Sequence, residues 1–349
     1  MIQIRQFRHY RHLFYFFILS LLFISGGCAS LPENTEQASS VALQDVSGTM
    51  LGQAVAEKAR QHPDKSGFVL LGNGLDAFVA RIILASVAER SLDVQYYLFH
   101  DDLVGGLLAY QLLQAADQGV RVRLLLDDMG LEGRDQAIAT LDSHPNIEIR
   151  IFNPFTRGLM RSVQFLSRFG SVTRRMHNKS FTVDNSISIV GGRNIGNEYF
   201  AADPDLAFGD LDVVTIGPVV KEVSSSFDEY WNSELSYPIS TLKRELTGKT
   251  LDELRPHWKT LMEEYKDSEY VVALKNSDLV GRIKAGTVKY NWGEAVLIAD
   301  KPEKISDTVQ AEENYLVLFP VCSSILKRRR KNWLSCPPIS CRERKVLIS

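Results

Sequence analysis

Hydrophobic and polar positions along the chain switch between two periods. Residues 74–90 place Leu75, Phe78, Val79, Ile82, Ile83 and Val87 at helical spacing, whereas 92–99 is β-branched and aromatic and predicts a strand. The cycle then repeats. A helix over 103–118 is closed by Gly119, a strand over 120–126 is interrupted only by Arg121 and Arg123, and a helix near 134–141 precedes a strand over 147–152. Strands alternating with helices of this length predict βαβ units around a buried sheet, with ligands at the carboxyl ends of its strands. Further on, 219–232 is an amphipathic helix ending in Phe227, Tyr230 and Trp231. Residues 240–270 are charged and helical, 271–310 are mixed, and 315–319 read as one more buried strand. Before all this, 29–65 is rich in Ser, Glu, Gln and Ala, the texture of a tether with a short helix near 51–61.

One segment departs from the helix–strand rhythm. In 177–194, two alternating apolar runs flank Asp184-Asn185-Ser186, which predicts a β-hairpin. His177 and Lys179 are two apart and project from one face of its first strand. If Val183 pairs with Ile187, His177 falls opposite Arg193 and beside Asn194, while Gly191 and Gly192 fall opposite Lys179 and Asn178. Missing side chains there would leave room for a ligand. An imidazole, an ammonium and a carboxamide in one small space suit a phosphodiester: a nucleophile, a fixed positive charge and a neutral hydrogen-bond donor. Asp184 lies seven residues from His177, about 23 Å along a strand, so it cannot orient that ring and is expected to bond the hairpin turn. Asp210, opening the next strand, is the expected partner for His177, with Asp212 on the same face as the alternate. Asp127 and Asp128 read as a turn or helix cap rather than metal ligands, so no metal site and no cofactor is expected. Arg174 and Arg175 read equally as steering charges or a solvated pair, and Tyr96, Tyr97 and Phe99 as core.

Charge narrows the partners. The 349 residues carry a net charge of -2, but 1–27 contribute +3 and 321–349 contribute +7, leaving -12 on 28–320. A body this acidic argues against nucleic acid as the partner. The amino terminus has Arg5, Arg8 and Arg11, a short apolar run over 13–24 and small residues before Cys28, which reads as a secretory leader. The run 24–28 resembles a bacterial lipobox. That resemblance implies removal of 1–27, acylation of Cys28 and a membrane-anchored lipoprotein in the cell envelope facing the periplasm; Ala29 points to the outer membrane. The chain has four cysteines and none between 29 and 321, so no disulfide framework is expected in the body.

The pattern His177-x-Lys179-x4-Asp184-x6-Gly191-Gly192-x-Asn194 resembles the HKD motif of the phospholipase D superfamily, with Gly192 where Ser is commoner. The flanks, including 92–97, 101–105, 119–123 and Asp127, are similar to the first half of bacterial cardiolipin synthases, and 191–200 is most similar to the cardiolipin synthase C branch. The resemblance covers 66–320. It implies an α/β/α sandwich with a mixed sheet and a metal-free phosphohistidine mechanism, in which His177 attacks phosphorus while Lys179 and Asn194 hold the nonbridging oxygens. It also implies a phospholipid such as phosphatidylglycerol as substrate.

In two-motif members of that superfamily a second His protonates the leaving oxygen. Here the only later histidine is His257, with no Lys two residues on. The composition also changes after Pro320, where 327–331 is a run of Lys and Arg and three of the four cysteines gather. The expected organisation is a leader over 1–27, a tether and short helix over 28–65, and a catalytic half over 66–235. A connecting region over 236–310 follows, then over 311–349 the start of an incomplete second half ending in an aberrant tail. The expected function is a membrane-tethered phosphatidyltransferase or phospholipase D. The alternatives are a single-motif phosphodiesterase or nuclease that pairs two motifs in a homodimer, and a non-catalytic anchored fragment.

Overall fold

The computed structural model describes residues 31–167, 174–203, 205–243, 250–305 and 346–348. Its centre is a nine-stranded mixed sheet in the order β8-β4-β3-β2-β5-β6-β7-β1-β9. Strands β2 (Ser91–Tyr96), β3 (Arg121–Asp127) and β4 (Ile147–Phe152) are parallel, joined through α3 (Leu103–Asp117) and α4 (Asp135–Asp142). Beside β2 lies the hairpin of β5 (Ser180–Val183) and β6 (Ile187–Gly191), then β7 (Asp212–Ile216), β1 (Ser66–Leu71) and β9 (Asn291–Gly293), each antiparallel to its neighbour. At the other edge β8 (Ser236–Pro238) runs antiparallel to β4. One end of the sheet therefore collects the carboxyl ends of β1 to β4 and β6 with the amino ends of β5, β7 and β8. The hairpin register is the expected one, Val183 opposite Ile187 and Ser180 opposite Val190.

The two faces are covered differently, and the alternation along β2 shows how. Leu92, Val94 and Tyr96 enter the main core with Phe78 and Ala80 of α2 (Gly74–Ser86) and Leu108 and Leu112 of α3. Asp93 and Gln95 face the opposite side, where Asp93 accepts from Arg123 at 2.7 Å and Gln95 donates to the Met176 sulfur at 3.0 Å. That second face is closed by α6 (Val219–Trp231), whose Phe227, Tyr230 and Trp231 pack on Leu125, Phe152 and Met176. The helices start on caps the sequence supplies: Thr49 for α1 (Met50–Arg60), Asn73 for α2 and Asp102 for α3. α5 (Arg161–Ser167) follows β4, and a turn of helix, α7 (Ile239–Leu242), follows β8. Then come α8 (Leu251–Tyr265), α9 (Glu269–Lys275), α10 (Asp278–Lys284) and β10 (Ala295–Leu297), which pairs with β11 (Val346–Ile348).

The segment expected as a tether is, over residues 34–43, a strap docked on the protein. Asn34 donates to the carbonyls of Glu234 and Ser236, both at 3.0 Å, and Gln37 to those of Trp231 and Ser233. The Ser40 carbonyl accepts from Arg123 at 3.0 Å and its hydroxyl from the Trp231 indole at 2.9 Å; Arg150 reaches the Ala38 carbonyl. Composition could not foresee this, because the strap docks through backbone carbonyls and small polar groups rather than an apolar stripe. The leader, Cys28, the strand over 315–319 and the basic run over 327–331 lie outside the described residues, and no helix among the described residues is long and apolar enough to cross a membrane.

Candidate active site

β2 ends at Tyr96, whose ring is buried and whose hydroxyl accepts from Arg81 at 2.8 Å. The next residue turns outward. The Tyr97 ring stacks on the His177 imidazole with centroids 4.1 Å apart, and the Lys179 ammonium lies 5.7 Å from the same ring. One residue further, the Leu98 amide donates to Asn194 Oδ1 at 3.1 Å. His177, Lys179 and Asn194 therefore converge on the Tyr97-Leu98 dipeptide at the carboxyl end of β2. His177 is exposed, Lys179 half-buried and Asn194 buried.

Each group is fixed by its neighbours. Lys179 donates to the His177 carbonyl at 2.7 Å, and desolvation holds its ammonium below the usual lysine value, opposed by the nearby carboxylates of Asp210 and Asp212. Asn194 spends one amide hydrogen on the Tyr199 hydroxyl at 3.0 Å, which leaves the second N–H of its carboxamide. The segment leading to His177 is clamped from behind by Asp127. That carboxyl accepts from Arg175 Nε at 2.7 Å, from the Met176 amide at 3.0 Å and from the Met129 amide at 2.9 Å. Burial raises Asp127 to about 6 against the pull of Arg175, so at neutral pH it is a carboxylate and the ion pair is intact.

Several expected roles are reassigned. Gly191 and Gly192 do not clear space for a ligand. A Cβ on Gly191 would meet Asp212 Oδ1 at 2.1 Å and the Leu211 carbonyl oxygen at 2.6 Å, and one on Gly192 would meet Asp210 Oδ1 at 2.3 Å, so the two glycines admit the start of β7 with Asp212 and, just before the strand, Asp210. Asp212 is not available to orient an imidazole: it is fully buried, 2.9 Å from Arg81 and 3.6 Å from Arg193. Asp210 sits against Gly192, where its charge faces Lys179 and Arg193. Asp184 does not serve its own turn. Its carboxylate accepts from the amides of Glu89 at 3.0 Å and of Arg90 and Ser91 at 2.8 Å, pinning the α2–β2 connection at the far end of the sheet.

Arg175 neither steers ligands nor is solvated, being buried against Asp127. Asp128 binds the Phe155 amide, Arg157 and Arg161, in keeping with the structural reading of the acidic pair. Tyr97 is the residue the sequence reading missed. The available signal was its place, one step beyond a strand whose buried alternation ends at Tyr96.

The family described as cardiolipin synthase, PLD-like domain, matches residues 82–231. Cardiolipin synthase C of Escherichia coli K12 is 43% identical over 256 residues, 73% of this chain and 54% of that protein. An uncharacterized protein of Helicobacter pylori is 36% identical over 295 residues, 83% of this chain and 58% of its own length. The chain thus spans a little over half the length of these relatives. Among solved structures, the phospholipase D family member Nuc from Salmonella typhimurium aligns over 50% of this chain and 97% of its own, at 18% identity and a TM-score of 0.37. With the complete motif set around its hairpin, the family match over residues 82–231 and the 43% identity to cardiolipin synthase C, the chain belongs to the phospholipase D superfamily.

Proposed function

We propose that this chain carries the nucleophilic half of a cardiolipin synthase-like phosphatidyltransferase or phospholipase D acting on a phospholipid such as phosphatidylglycerol. The observation that carries the reading is the shared aromatic wall: an exposed imidazole stacked on the Tyr97 ring and a half-desolvated ammonium 5.7 Å from the same ring, with the Asn194 amide one residue away. An imidazole nitrogen of His177 attacks phosphorus, and the bond to the first alcohol breaks as its oxygen takes a proton. Lys179 and the free N–H of Asn194 hold the nonbridging oxygens, where charge builds up. Water or a second alcohol then displaces His177 from the phosphohistidine. Asp210 would steady the imidazolium through the local field. The leaving-group proton must come from a second imidazole, supplied by another copy of this chain or by the remainder of a longer protein. Acylation of Cys28 would hold the site at the envelope membrane that contains the substrate.

The test is to incubate the purified chain with phosphatidylglycerol labelled in its phosphate and to quench in alkali. Acid-labile, alkali-stable label on wild type, absent from His177→Ala, together with head-group release or exchange, is the expected result. Label that persists in His177→Ala, or no label and no turnover by wild type even in a chain extended by a second half bearing its own His-x-Lys motif, refutes the proposal. Cleavage of plasmid DNA with lipid untouched moves the substrate class to nucleic acid.

A further inference from the structure

Eleven large hydrophobic side chains are exposed among the described residues, and five of them sit on the two connections that flank the site at that end of the sheet. Met160 and Val163 lie on the connection that leaves the carboxyl end of β4. Leu206, Phe208 and Leu211 lie on the loop entering the amino end of β7. In sheet order β4 and β7 stand on opposite sides of β2 and β5, so the two loops flank His177 and Lys179. The second loop is tied directly to the site: the Phe208 ring lies 5.1 Å from that of Tyr199, whose hydroxyl holds Asn194, and the Leu211 carbonyl accepts from the Gly192 amide. The remaining six each lie on a different element: the strap, α1, β1, α9, α10 and β10.

The strap fixes where the preceding residues join the protein. Asn34 is pinned to the carbonyls of Glu234 and Ser236, where β8 begins, at the site end. From there a short chain of bonds leads to the site. The Leu235 carbonyl accepts from the Asn153 amide, and Asn153 Nδ2 donates to the Arg174 carbonyl, three residues before His177. Thirty residues precede Leu31, among them the apolar run over 13–24 and Cys28. Cys28 is six residues from Asn34, at most about 20 Å of extended chain. An anchor formed by an acyl group on Cys28 or by the apolar run itself therefore pulls on the end that bears the site.

We propose that this end is a bilayer-facing rim, in which the apolar side chains of the 153–160 loop, the first turn of α5 and the 206–211 loop enter the interface of a phospholipid membrane and the strap holds the protein in that orientation. A rim of this kind settles about 5–10 Å into the headgroup region. The Tyr97-Leu98 corner then meets a phosphodiester at its resting depth, and no lipid has to be extracted. The inference rests on the phospholipid reading of the site, but its test needs no turnover, so an inactive chain that still presents the rim removes the activity alone.

The test uses the full chain with Cys28, Cys322, Cys336 and Cys341 replaced by Ser, so that the apolar run over 13–24 alone can anchor it, and an environment-sensitive fluorophore on one introduced cysteine. Rim positions are Met160→Cys and Leu206→Cys, on separate loops, so a folding failure in one leaves the other. Controls are Val41→Cys and Met50→Cys, exposed at the opposite end of the sheet, where the Val41 carbonyl accepts from Arg121 and the Met50 amide donates to Glu89. On vesicles of phosphatidylethanolamine and phosphatidylglycerol, rim labels should shift to the blue, brighten several-fold and be quenched by lipid-borne nitroxide, while control labels should not change. Equal responses at rim and control positions, or a response at the controls alone, overturn the proposal. So does a rim label already shielded without lipid in a chain of doubled mass, because that result makes the face a contact between copies.

Discussion

Adjacent glycines 191 and 192 should respond differently to the same methyl group. A Cβ on Gly191 would lie 2.1 Å from Asp212 Oδ1, 2.6 Å from Asp212 Cα and 2.6 Å from the Leu211 carbonyl oxygen. Two of these are backbone atoms at the start of β7 and of the residue before it, and β7 pairs with β6 as Gly191 opposite Asp212. Relief requires the strand pair to open, and opening it draws Asp212 from Arg81 at 2.9 Å. Overpacking costs about 1–3 kcal/mol and disturbing a buried charge pair about 3–5 kcal/mol, so Gly191→Ala should lose about 4 kcal/mol or more. On Gly192 the close atoms are Asp210 Oδ1, Cγ and Cβ, at 2.3, 3.0 and 3.3 Å, all in a half-exposed side chain that can rotate. Gly192→Ala should therefore cost less than about 1 kcal/mol, and Gly192→Ser should be tolerated likewise. Urea denaturation of the three variants decides the matter. Equal losses at 191 and 192, or a larger loss at 192, would refute the assignment of Gly191 to strand packing and Gly192 to carboxylate clearance.

Other expectations follow from the same contacts. Asp184→Ala strips three backbone amides of their acceptor and should cost about 3 kcal/mol in chemical denaturation without altering ligand binding at the distant site. Arg81→Met leaves Asp212 buried without its nearest cation and should cost about 3–5 kcal/mol, much of it recovered by the double variant with Asp212→Asn. Desolvation lowers the Lys179 value from 10.5, so inorganic phosphate should dissociate at a lower pH than an ordinary lysine would allow, and Lys179→Arg should retain it to higher pH. In stability the sign is reversed: between the folded value and 10.5 the unfolded chain binds that proton more tightly, so unfolding free energy from this group rises with pH there. Tyr97→Leu keeps bulk but removes the stacked ring, and should weaken phosphate binding while leaving the unfolding midpoint within a few degrees.

What was legible in the sequence was whatever depends on period and spacing. The βαβ succession, the hairpin register and the gathering of His177, Lys179 and Asn194 follow from local alternation, since a one-residue slip would have turned every side chain of the hairpin over. What remained hidden depends on contacts far along the chain. Asp184 serves residues 89–91, Arg81 serves Asp212, and residues 34–43 dock on residues 228–236. None of these pairings leaves a periodic trace. Tyr97 was misread for a related reason: an aromatic residue at a strand end has the same composition signature whether it points into the core or out of the sheet.

The arginines show why the site's positive charge is so sparing. Arg81, Arg123, Arg150, Arg175 and Arg193 are all buried, and each is turned to structural work. Arg193 illustrates this most directly, because by sequence it stands beside Asn194 and opposite His177. Its guanidinium points away, donating to the carbonyls of Leu71 at 3.1 Å, Gly72 at 2.9 Å and Tyr199 at 3.1 Å, and it shares Asp212 with Arg81. It thereby ties β1, the Tyr199 turn and β7 to the strand that carries Asn194. A bidentate guanidinium at the phosphate would hold a dianion or a covalent phosphohistidine tightly in its ground state. A lysine, already weakened as an ammonium by burial, neutralises one charge and lets the group go. Under the proposed double displacement the first alcohol and then the new ester must leave the same pocket, so a moderate cation such as Lys179 on an otherwise immobile frame favours turnover over capture.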